Sequence, residues 1–409
     1  MKNSLCLLLT LFLAWGCSDT GKSPEQQARE IHAKVLTVDT HTDTPWALLR
    51  GGYDMNQRYD HSKDRLQVDF PRMKEGGLDA VFWAAFIGQR ERDSAGNRRA
   101  EERILKSIDS IRSHVNARNE TAGIATTPGD AYKLKEEGRL AIFIGIENGY
   151  AIGNDIENIA KYYEKGVRYV TLCHTRNNDI CDSSTDTTEH NGLSDFGIEV
   201  VKEMNRVGMM IDVSHISDSS FYEVLEYTKT PVIASHSSAR AVCDNPRNLN
   251  DDMLRELSAN GGVIQVCLLS DYVKTPEPYP ERDSAQNAVR EKYRNFTDLI
   301  EEEKTLARRE WYAVDSLYPR KLATVADFVD HIDHIVEVIG VEYVGIGSDF
   351  DGGGGLDDCR DVSQMGNITL ELVKRGYTEE EIRRIWGGNI MRVMKQVQQH
   401  ADNATKMET

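Results

Sequence analysis

Eight short apolar runs, each separated from the next by a stretch with helical periodicity, constrain the fold of this chain more than any other feature. Near-continuous apolar runs of this length are typical of strands in a parallel sheet that is covered on both faces. Eight strands that alternate with helices predict an α/β fold, a (β/α)8 TIM barrel, and a doubly wound open sheet is the alternative. No Gly-x-Gly-x-x-Gly motif follows the first run, which argues against a dinucleotide-binding sheet. The predicted strands are residues 35–38, 80–86, 140–146, 169–173, 209–213, 231–234, 262–268 and 343–347.

The segment of residues 270–320 departs from this alternation. It lies between the seventh predicted strand and its helix, and it contains three closely spaced prolines and a charged stretch around residues 301–310. Long loops in compact domains tend to be lids or binding elements, and on a barrel this one would lie over the mouth. We interpret residues 270–320 as an insertion after strand seven that acts as a lid. The alternative is a surface insertion without a catalytic role.

The N-terminus predicts export. Residues 1–17 combine a positive charge at Lys2 with an apolar stretch too short to span a bilayer, followed by Gly16 and Cys17. This pattern resembles a bacterial lipoprotein signal peptide, so we expect lipidation of Cys17; a simple cleaved signal peptide is the alternative. Residues 18–27 are polar and predict a tether, and residues 28–400 would form the barrel domain. We therefore expect an exported lipoprotein, anchored to a bacterial membrane in the periplasm or at the cell surface.

The charge of the chain excludes one class of partner. The 409 residues carry a formal net charge of −17, whereas binding to nucleic acid phosphates needs a basic surface. The same charge gives no electrostatic reason to lie on anionic lipid. Five cysteines follow Cys17, an odd number without zinc-knuckle spacing, so a disulfide framework is not indicated.

Polar residues of metal-ligand type follow six of the predicted strands. The C-terminal ends of barrel strands meet at one face, where this fold carries its chemistry. Buried charges are costly unless they are paired or bound to metal, and histidines mixed with carboxylates suit a pair of divalent ions such as zinc. The set consists of His41 and Asp43 after strand one, Glu147 after strand three, His174 after strand four, His215 after strand five, His236 after strand six and Asp349 after strand eight.

Short motifs around these residues carry a family resemblance. They are T-V-D-T-H-T-D, G-I-E-N-G, D-V-S-H, V-I-A-S-H-S-S-A-R-A-V-C, P-R-N and G-I-G-S-D-F-D-G. In this order the motifs resemble the renal (membrane) dipeptidase family, peptidase family M19, which are metallopeptidases on amidohydrolase-like barrels. The resemblance runs from about residue 35 to about residue 398. It implies a metallo-dipeptidase on a TIM barrel of the metal-dependent hydrolase type.

The resemblance also implies two zinc ions per subunit. His41 and Asp43 would bind one ion, and His215 and His236 would bind the other. Glu147 would bridge the two ions and is thereby also catalytic. Homodimers are a further implication of the family.

For the substrate, the resemblance implies a dipeptide, with tolerance of a D-residue at its C-terminal side. His174 would point at the substrate carbonyl, Arg247 in P-R-N would hold the substrate carboxylate, and Asp349 would be the acid/base. The peptide bond would be attacked by a hydroxide that bridges the metals. Asn148 and Tyr150, next to the bridging residue, depart from the mammalian members and put substrate preference in doubt.

Two other functions remain open at this point. One is a binuclear-metal amidohydrolase for cyclic amides or lactones, which would use the same ligands but gives no reason for Arg247. The other is a surface lipoprotein that binds a ligand without catalysis. The presence of every expected metal and proton-transfer residue speaks against the second.

Overall fold

The structure is a computed structural model, and it describes residues 22–296 and 299–408. The predicted signal peptide of residues 1–17, with Cys17, and residues 18–21 of the predicted tether lie outside the described residues. Residues 24–27, the end of that tether prediction, instead form the first turn of a helix. Ser23 caps this helix by accepting a hydrogen bond from the backbone of Gln26, and Pro24 suits its first position.

Eight parallel strands form a nearly closed barrel, as the sequence predicts. The described residues contain nine strands, of which all but β3 belong to the barrel: β1 (Val38–Thr42), β2 (Ala80–Phe86), β3 (Ala122–Ile124), β4 (Leu140–Glu147), β5 (Val167–Thr171), β6 (Met210–Asp212), β7 (Ile233–Ala234), β8 (Val263–Cys267) and β9 (Val344–Gly347). Their order is β1-β2-β4-β5-β6-β7-β8-β9, and β3 pairs with the start of β4. The barrel closes between β9 and β1, where the Asp349 amide donates to the His41 carbonyl at 2.9 Å. The amide of Asp43 similarly donates to the carbonyl of Phe350 at 2.8 Å.

Helices follow the strands and cover the outside of the barrel. Ser194 and Ser217 cap two of them, because each side chain accepts a hydrogen bond from the first helical turn. Within the described residues, no helix has the length and apolar character needed to cross a bilayer. The helices are α1 (Pro24–Lys34), α2 (Pro45–Arg50), α3 (His61–Asp64), α4 (Phe70–Gly76), α5 (Ser94–Asn116), α6 (Pro128–Glu136), α7 (Glu157–Glu164), α8 (Asp195–Val207), α9 (Asp218–Tyr227), α10 (Asp251–Ala259), α11 (Ser270–Val273), α12 (Pro280–Lys292), α13 (Glu301–Leu317), α14 (Val325–Ile339), α15 (Gly366–Lys374), α16 (Glu379–Arg383) and α17 (Asn389–Glu408).

The interior of the barrel is a packed apolar core that opens only toward the strand C-termini. Phe82 of β2, Phe143 of β4 and Tyr169 of β5 belong to this core, and Met394 of α17 joins it from below. Arg392 of α17 donates to the carbonyl of Gly261, just before β8, at 2.7 Å. Because α17 covers the strand N-termini, the rim at the other end is the accessible face of the barrel.

The strands of the structure differ from the predicted ones in two places. The predicted first strand, residues 35–38, is displaced, because Val35 still caps α1 through its amide and the strand itself begins at Val38. The apolar pattern does not extend over residues 39–42 because these residues are polar, yet all five residues of β1 are buried. The short strand β3 was not predicted, since A-G-I is too brief to give a period.

The segment of residues 270–320 folds into α11, α12 and α13. The two longer helices share a small core of their own, which includes Val289, Ala307 and Val314. The segment also contacts the chain that follows α3, because the guanidinium of Arg65 lies 4.4 Å from the ring centroid of Tyr312. Its role as a lid stays a prediction.

Candidate active site

The polar residues predicted from strand ends gather at the C-terminal rim of the barrel. His41 is within β1 and Asp43 directly follows it, while Glu147 is the last residue of β4. His215 and His236 follow β6 and β7 by two or three residues. These ends meet because parallel strands of a barrel present the same end to one face.

Glu147 lies at the centre of four histidines. Its Oε1 is 3.1 Å from Nε2 of His215, 3.5 Å from Nε2 of His236 and 3.7 Å from Nε2 of His174. Its Oε2 is 3.6 Å from Nε2 of His41. One carboxylate therefore faces imidazoles on both sides, which is the arrangement that a ligand shared by two cations requires.

Several buried atoms of this cluster have no hydrogen-bond partner among the described residues: Nε2 of His41, Oδ1 of Asp43 and Oε2 of Glu147. Such atoms are rare in native proteins, and a bound ion is one of their ordinary explanations. Nε2 of His215 and Nε2 of His236 also lie 2.9 Å apart. A single proton between them makes one nitrogen the donor and the other the acceptor.

The donor atoms are close enough to share cations. Three groups of ligand atoms, overlapping in their members, each lie within 4.8 Å of one another. Imidazole nitrogens with carboxylate oxygens form a donor set suited to zinc and similar divalent ions. The residues present therefore fit a metal centre. The groups are His41, Glu147 and His236; Glu147, His174 and His215; and His41, Asp43 and Asp349.

Strained backbone fixes two of these residues. His215 has φ of 73° and Asp349 has φ of 59°, in the left-handed region that side-chain-bearing residues avoid. Such conformations cost about 1–3 kcal/mol each and persist where the surrounding structure holds them. Glycine at position 352 lets the backbone there lie close to the carboxylates of Asp43 and Asp349, because a Cβ would be 2.3 Å from an oxygen of each.

A hydrogen-bond relay orients His236. The Ser235 hydroxyl donates to Oδ2 of Asp212 at 2.6 Å and lies 2.8 Å from Nδ1 of His236. The hydroxyl proton goes to the carboxylate, so Nδ1 carries the ring proton and donates to the serine oxygen. Nε2 is then left with a free lone pair that faces the cluster.

A second set of supporting hydrogen bonds, built from different residues, surrounds β1. Asp39 accepts hydrogen bonds from the Ser348 amide at 2.8 Å and the Ser348 hydroxyl at 2.5 Å. Nδ1 of His41 lies 2.9 Å from the hydroxyl of Tyr169, which leaves Nε2 to face the cluster. Burial raises the pKa of Asp39 to about 6, despite the hydrogen bonds from Ser348.

The protonation of the histidines differs across the site. Burial opposes a charge on His41, but the carboxylates around it, Glu147 first, outweigh burial and raise its pKa to about 10. Burial instead lowers the pKa of His215 and of His236 well below the usual value, and positively charged side chains nearby, such as Arg247, lower both further. Burial raises the pKa of Asp349 to about 7. At neutral pH, without bound cations, His41 is charged and the other two imidazoles are neutral.

Arg247 and His174 border the cluster. The guanidinium of Arg247 is buried, donates weakly to the His236 carbonyl at 3.2 Å and lies 5.1 Å from the ring centroid of Tyr272. Its Nε has no hydrogen-bond partner within the described residues. His174 packs its ring edge-on against Phe86, with ring centroids 4.9 Å apart. Arg247 thus offers a cation at the rim beside β7.

The structure brings all seven of the predicted strand-end residues and Arg247 together, and their roles as ligands and catalysts stay predictions. Sequence reasoning missed the supporting residues Asp39, Tyr169, Asp212 and Ser348. One signal in the sequence was available, because each of the two aspartates stands two or three residues before a histidine, in D-T-H and in D-V-S-H. Tyr169 gave no such signal, since it looks like an ordinary apolar strand residue.

Comparisons with known proteins agree with one another. The family model of membrane dipeptidase (peptidase family M19) matches residues 25–408. "Dipeptidase 3" of Rattus norvegicus is 34% identical over 383 residues, covering 91% of this chain and 67% of that protein. "Dipeptidase verJ" of Clonostachys rogersoniana is 32% identical over 386 residues, covering 91% of this chain and 87% of that protein.

Solved structures give the same picture. The probable dipeptidase PvdM of Pseudomonas aeruginosa superposes with a TM-score of 0.78 at 29% identity, covering 92% of this chain and 99% of that one. A metallopeptidase of Rhodobacter sphaeroides, solved with a phosphinate mimic of L-Ala-D-Ala, has a TM-score of 0.71 at 21% identity. That match covers 89% of this chain and 99% of the other and supports the fold.

Proposed function

The chain belongs to the membrane dipeptidase family, peptidase family M19, and is a metallo-dipeptidase; from this premise we propose that it uses two zinc ions per subunit to hydrolyse dipeptides. Its relatives of known name are dipeptidases. The observation that carries the proposal is the position of Glu147, whose two oxygens face histidines from opposite sides of the barrel.

The ligand assignment follows this geometry. His41 and Asp43 would hold one ion, His215 and His236 the other, and Glu147 both. Two zinc ions held there would polarise the scissile carbonyl and lower the pKa of water enough to supply hydroxide near neutral pH. The hydrogen bonds of Ser235 and Tyr169 to Nδ1 of His236 and His41 would keep the Nε2 atoms of these rings available to the ions.

Asp349 is the proposed proton carrier. It lies beside His41 and Asp43 in the cluster, and burial brings its pKa to about 7. A carboxyl group with that pKa can accept a proton from the attacking water and release it to the departing amine at the same pH. His174, on the opposite side of Glu147, would donate to the oxyanion that forms from the carbonyl.

Arg247 sets the length of the substrate. Its guanidinium is a planar donor that matches a carboxylate, and its contacts to the protein are long and leave it available. A chain whose terminal carboxylate lies at Arg247 presents the nearest peptide bond to the cluster. The enzyme would therefore cleave dipeptides, and the family resemblance adds tolerance of a D-residue at the C-terminal side.

The decisive experiment is hydrolysis of paired L,L and L,D dipeptides by the purified protein, before and after chelation and after readdition of zinc. Metal analysis should give two equivalents of zinc in the active form. Hydrolysis of cyclic amides or lactones with no activity on dipeptides would contradict the proposed substrate class. Dipeptide hydrolysis that persists without metal would contradict the proposed chemistry.

We also propose, from the N-terminal motif and the family resemblance, that Cys17 is lipidated, that the enzyme is held at a bacterial membrane, and that it forms a homodimer. Metabolic labelling with a fatty acid should mark the wild type and not Cys17→Ser. Light scattering of the lipid-free chain that gives the mass of a monomer would contradict the dimer.

A further inference from the structure

A basic cleft of 730 Å³ opens beside the metal cluster. Its walls come from α2, the chain after β2, α5 and α13, which are distant in sequence. None of the described residues that line it is acidic, although the chain as a whole carries a net charge of −17. Its basic side chains are Arg50, Arg90, Arg103, Lys304 and Arg308.

The arginines of the cleft have few internal partners. Among the described residues, no ion pair to a carboxylate is found for Arg50, Arg103 or Arg308. Arg50 lies 4.5 Å and Arg103 lies 5.5 Å from the ring centroid of Trp46, so both guanidinium groups contact the same aromatic ring. Partial burial and then the nearby Arg308 lower the pKa of Arg50. These like charges repel one another, and a bound anion would relieve the repulsion.

The cleft borders the active site at Phe86. This residue ends β2, lines the cleft and also packs against the ring of His174. Phe86 pairs in register with Glu147 on the neighbouring strand. A group that occupies the cleft therefore lies one side chain away from the proposed reacting carbonyl.

The barrel order gives the direction of the substrate. In the order β1-β2-β4-β5-β6-β7-β8-β9, β2 is second and β7 is sixth, so they lie on opposite sides. Arg247, which would hold the C-terminal carboxylate, contacts the residues that follow β7. A dipeptide that crosses the metal cluster from Arg247 directs its N-terminal residue toward β2 and the cleft.

We infer that the cleft is a subsite for an anionic side chain on the N-terminal residue of the substrate, so that the enzyme prefers dipeptides beginning with glutamate or aspartate. This inference rests on the proposed function. The cavity is large enough for such a side chain with its hydration, since small-molecule sites span about 300–1,000 Å³. Arg103 and Arg308 would contact the carboxylate from two walls.

The test compares Glu-Ala with Gln-Ala, which differ in charge and hardly in shape. The zinc-loaded wild type should show kcat/KM about tenfold higher for Glu-Ala at low ionic strength, equal to about 1.4 kcal/mol. This ratio should fall toward one in Arg103→Gln/Arg308→Gln and with rising salt. Arg309→Gln, on the exposed side of α13, is the matched control and should keep the wild-type ratio.

Two results would overturn the inference in different ways. A wild-type ratio of one or less, or a ratio that the double variant leaves unchanged, would refute the anionic subsite alone while dipeptide hydrolysis stands. Failure to hydrolyse any dipeptide, with zinc bound and the fold intact by circular dichroism, would refute the proposed function and the inference with it.

Discussion

The two halves of the metal cluster are built from different chemistry. The half at β1 and β9 contains Asp43 and Asp349 with a single imidazole, that of His41, and its carboxyl groups have raised pKa values. The half at β6 and β7 contains His215 and His236, whose pKa values are lowered. We call these the carboxylate half and the histidine half; Glu147 belongs to both.

The difference suggests a division of labour. The carboxylate half holds Asp349, whose carboxyl group with a pKa of about 7 can take up and release a proton near neutral pH. The pKa values of the imidazoles in the histidine half are lowered, which favours their neutral, metal-binding form. The histidine half also lies next to Arg247, which contacts the His236 carbonyl. We therefore expect proton transfer to depend on the first half and substrate placement on the second.

Removing the metals should have the largest effect, because both halves lose their function together. Chelation should abolish dipeptide hydrolysis, and zinc should restore it. Each ion present at about 1,000 times its dissociation constant adds about 4 kcal/mol to the free energy of unfolding, so Tm should fall on chelation. Calorimetry and a turnover assay on the same samples measure both. An unchanged Tm after proven metal loss would show that the cluster does not bind ions in the folded state.

Asp349→Asn tests the proton-transfer role of the carboxylate half. We expect kcat to fall by about 10²–10⁴-fold, with zinc content near that of the wild type, because general acid–base catalysis contributes this much. Asp351→Asn is the matched control, since this half-buried carboxylate instead accepts hydrogen bonds from the Thr44 hydroxyl and the Gln67 amide. Loss of one zinc from Asp349→Asn would make Asp349 a metal ligand and not a proton carrier.

Arg247→Ala tests substrate placement beside the histidine half. Removing one partner of a buried charge pair costs about 2–5 kcal/mol, so kcat/KM for free dipeptides should fall on the order of a hundredfold. Dipeptide amides, which lack the carboxylate, should lose little. Arg247→Lys keeps the charge but not the planar fork and should be intermediate. Equal losses on free and amidated substrates would assign Arg247 a structural role.

The pH dependence of zinc binding gives the finest comparison. In His236→Gln only the carboxylate half stays intact. There His41, with a pKa of about 10, must lose a proton before it can bind zinc. Affinity should therefore rise about tenfold per pH unit between pH 7 and 8. Asp43→Asn leaves the histidine half, whose imidazoles are already neutral at pH 7, so its affinity should hardly change. Competitive zinc titrations at pH 7 and pH 8 measure the affinity of both variants. An equal change of affinity with pH in the two would contradict the difference between the halves.

Much of this molecule could be predicted from local sequence. The apolar runs predicted seven of the eight barrel strands close to their positions, and the polar residues after six of the strands predicted the cluster. The displaced first strand shows the limit, because Asp39, Thr40 and His41 are buried by the site and not by any apolar character of their own.

What the sequence could not give is contact between distant segments. Ser348 meets Asp39 only because the last strand of the barrel returns beside the first. Tyr169 reaches His41 across the barrel interior, which no periodicity along β5 indicates. The basic cleft likewise depends on Arg50, Arg103 and Arg308 converging from three helices, and each arginine alone looks like an ordinary surface residue.

The closure of the barrel between β9 and β1 also has a consequence during synthesis of the chain. The residues that complete the cluster come from both ends, and 309 positions separate Asp39 from Ser348. A nascent polypeptide that still lacks β9 therefore already contains His41, Asp43, Glu147 and the histidine half, but neither Asp349 nor the Ser348 that bonds to Asp39. With Asp349 as the proposed proton carrier, we expect hydrolytic activity to begin only when synthesis is nearly finished and the last strand has joined the barrel.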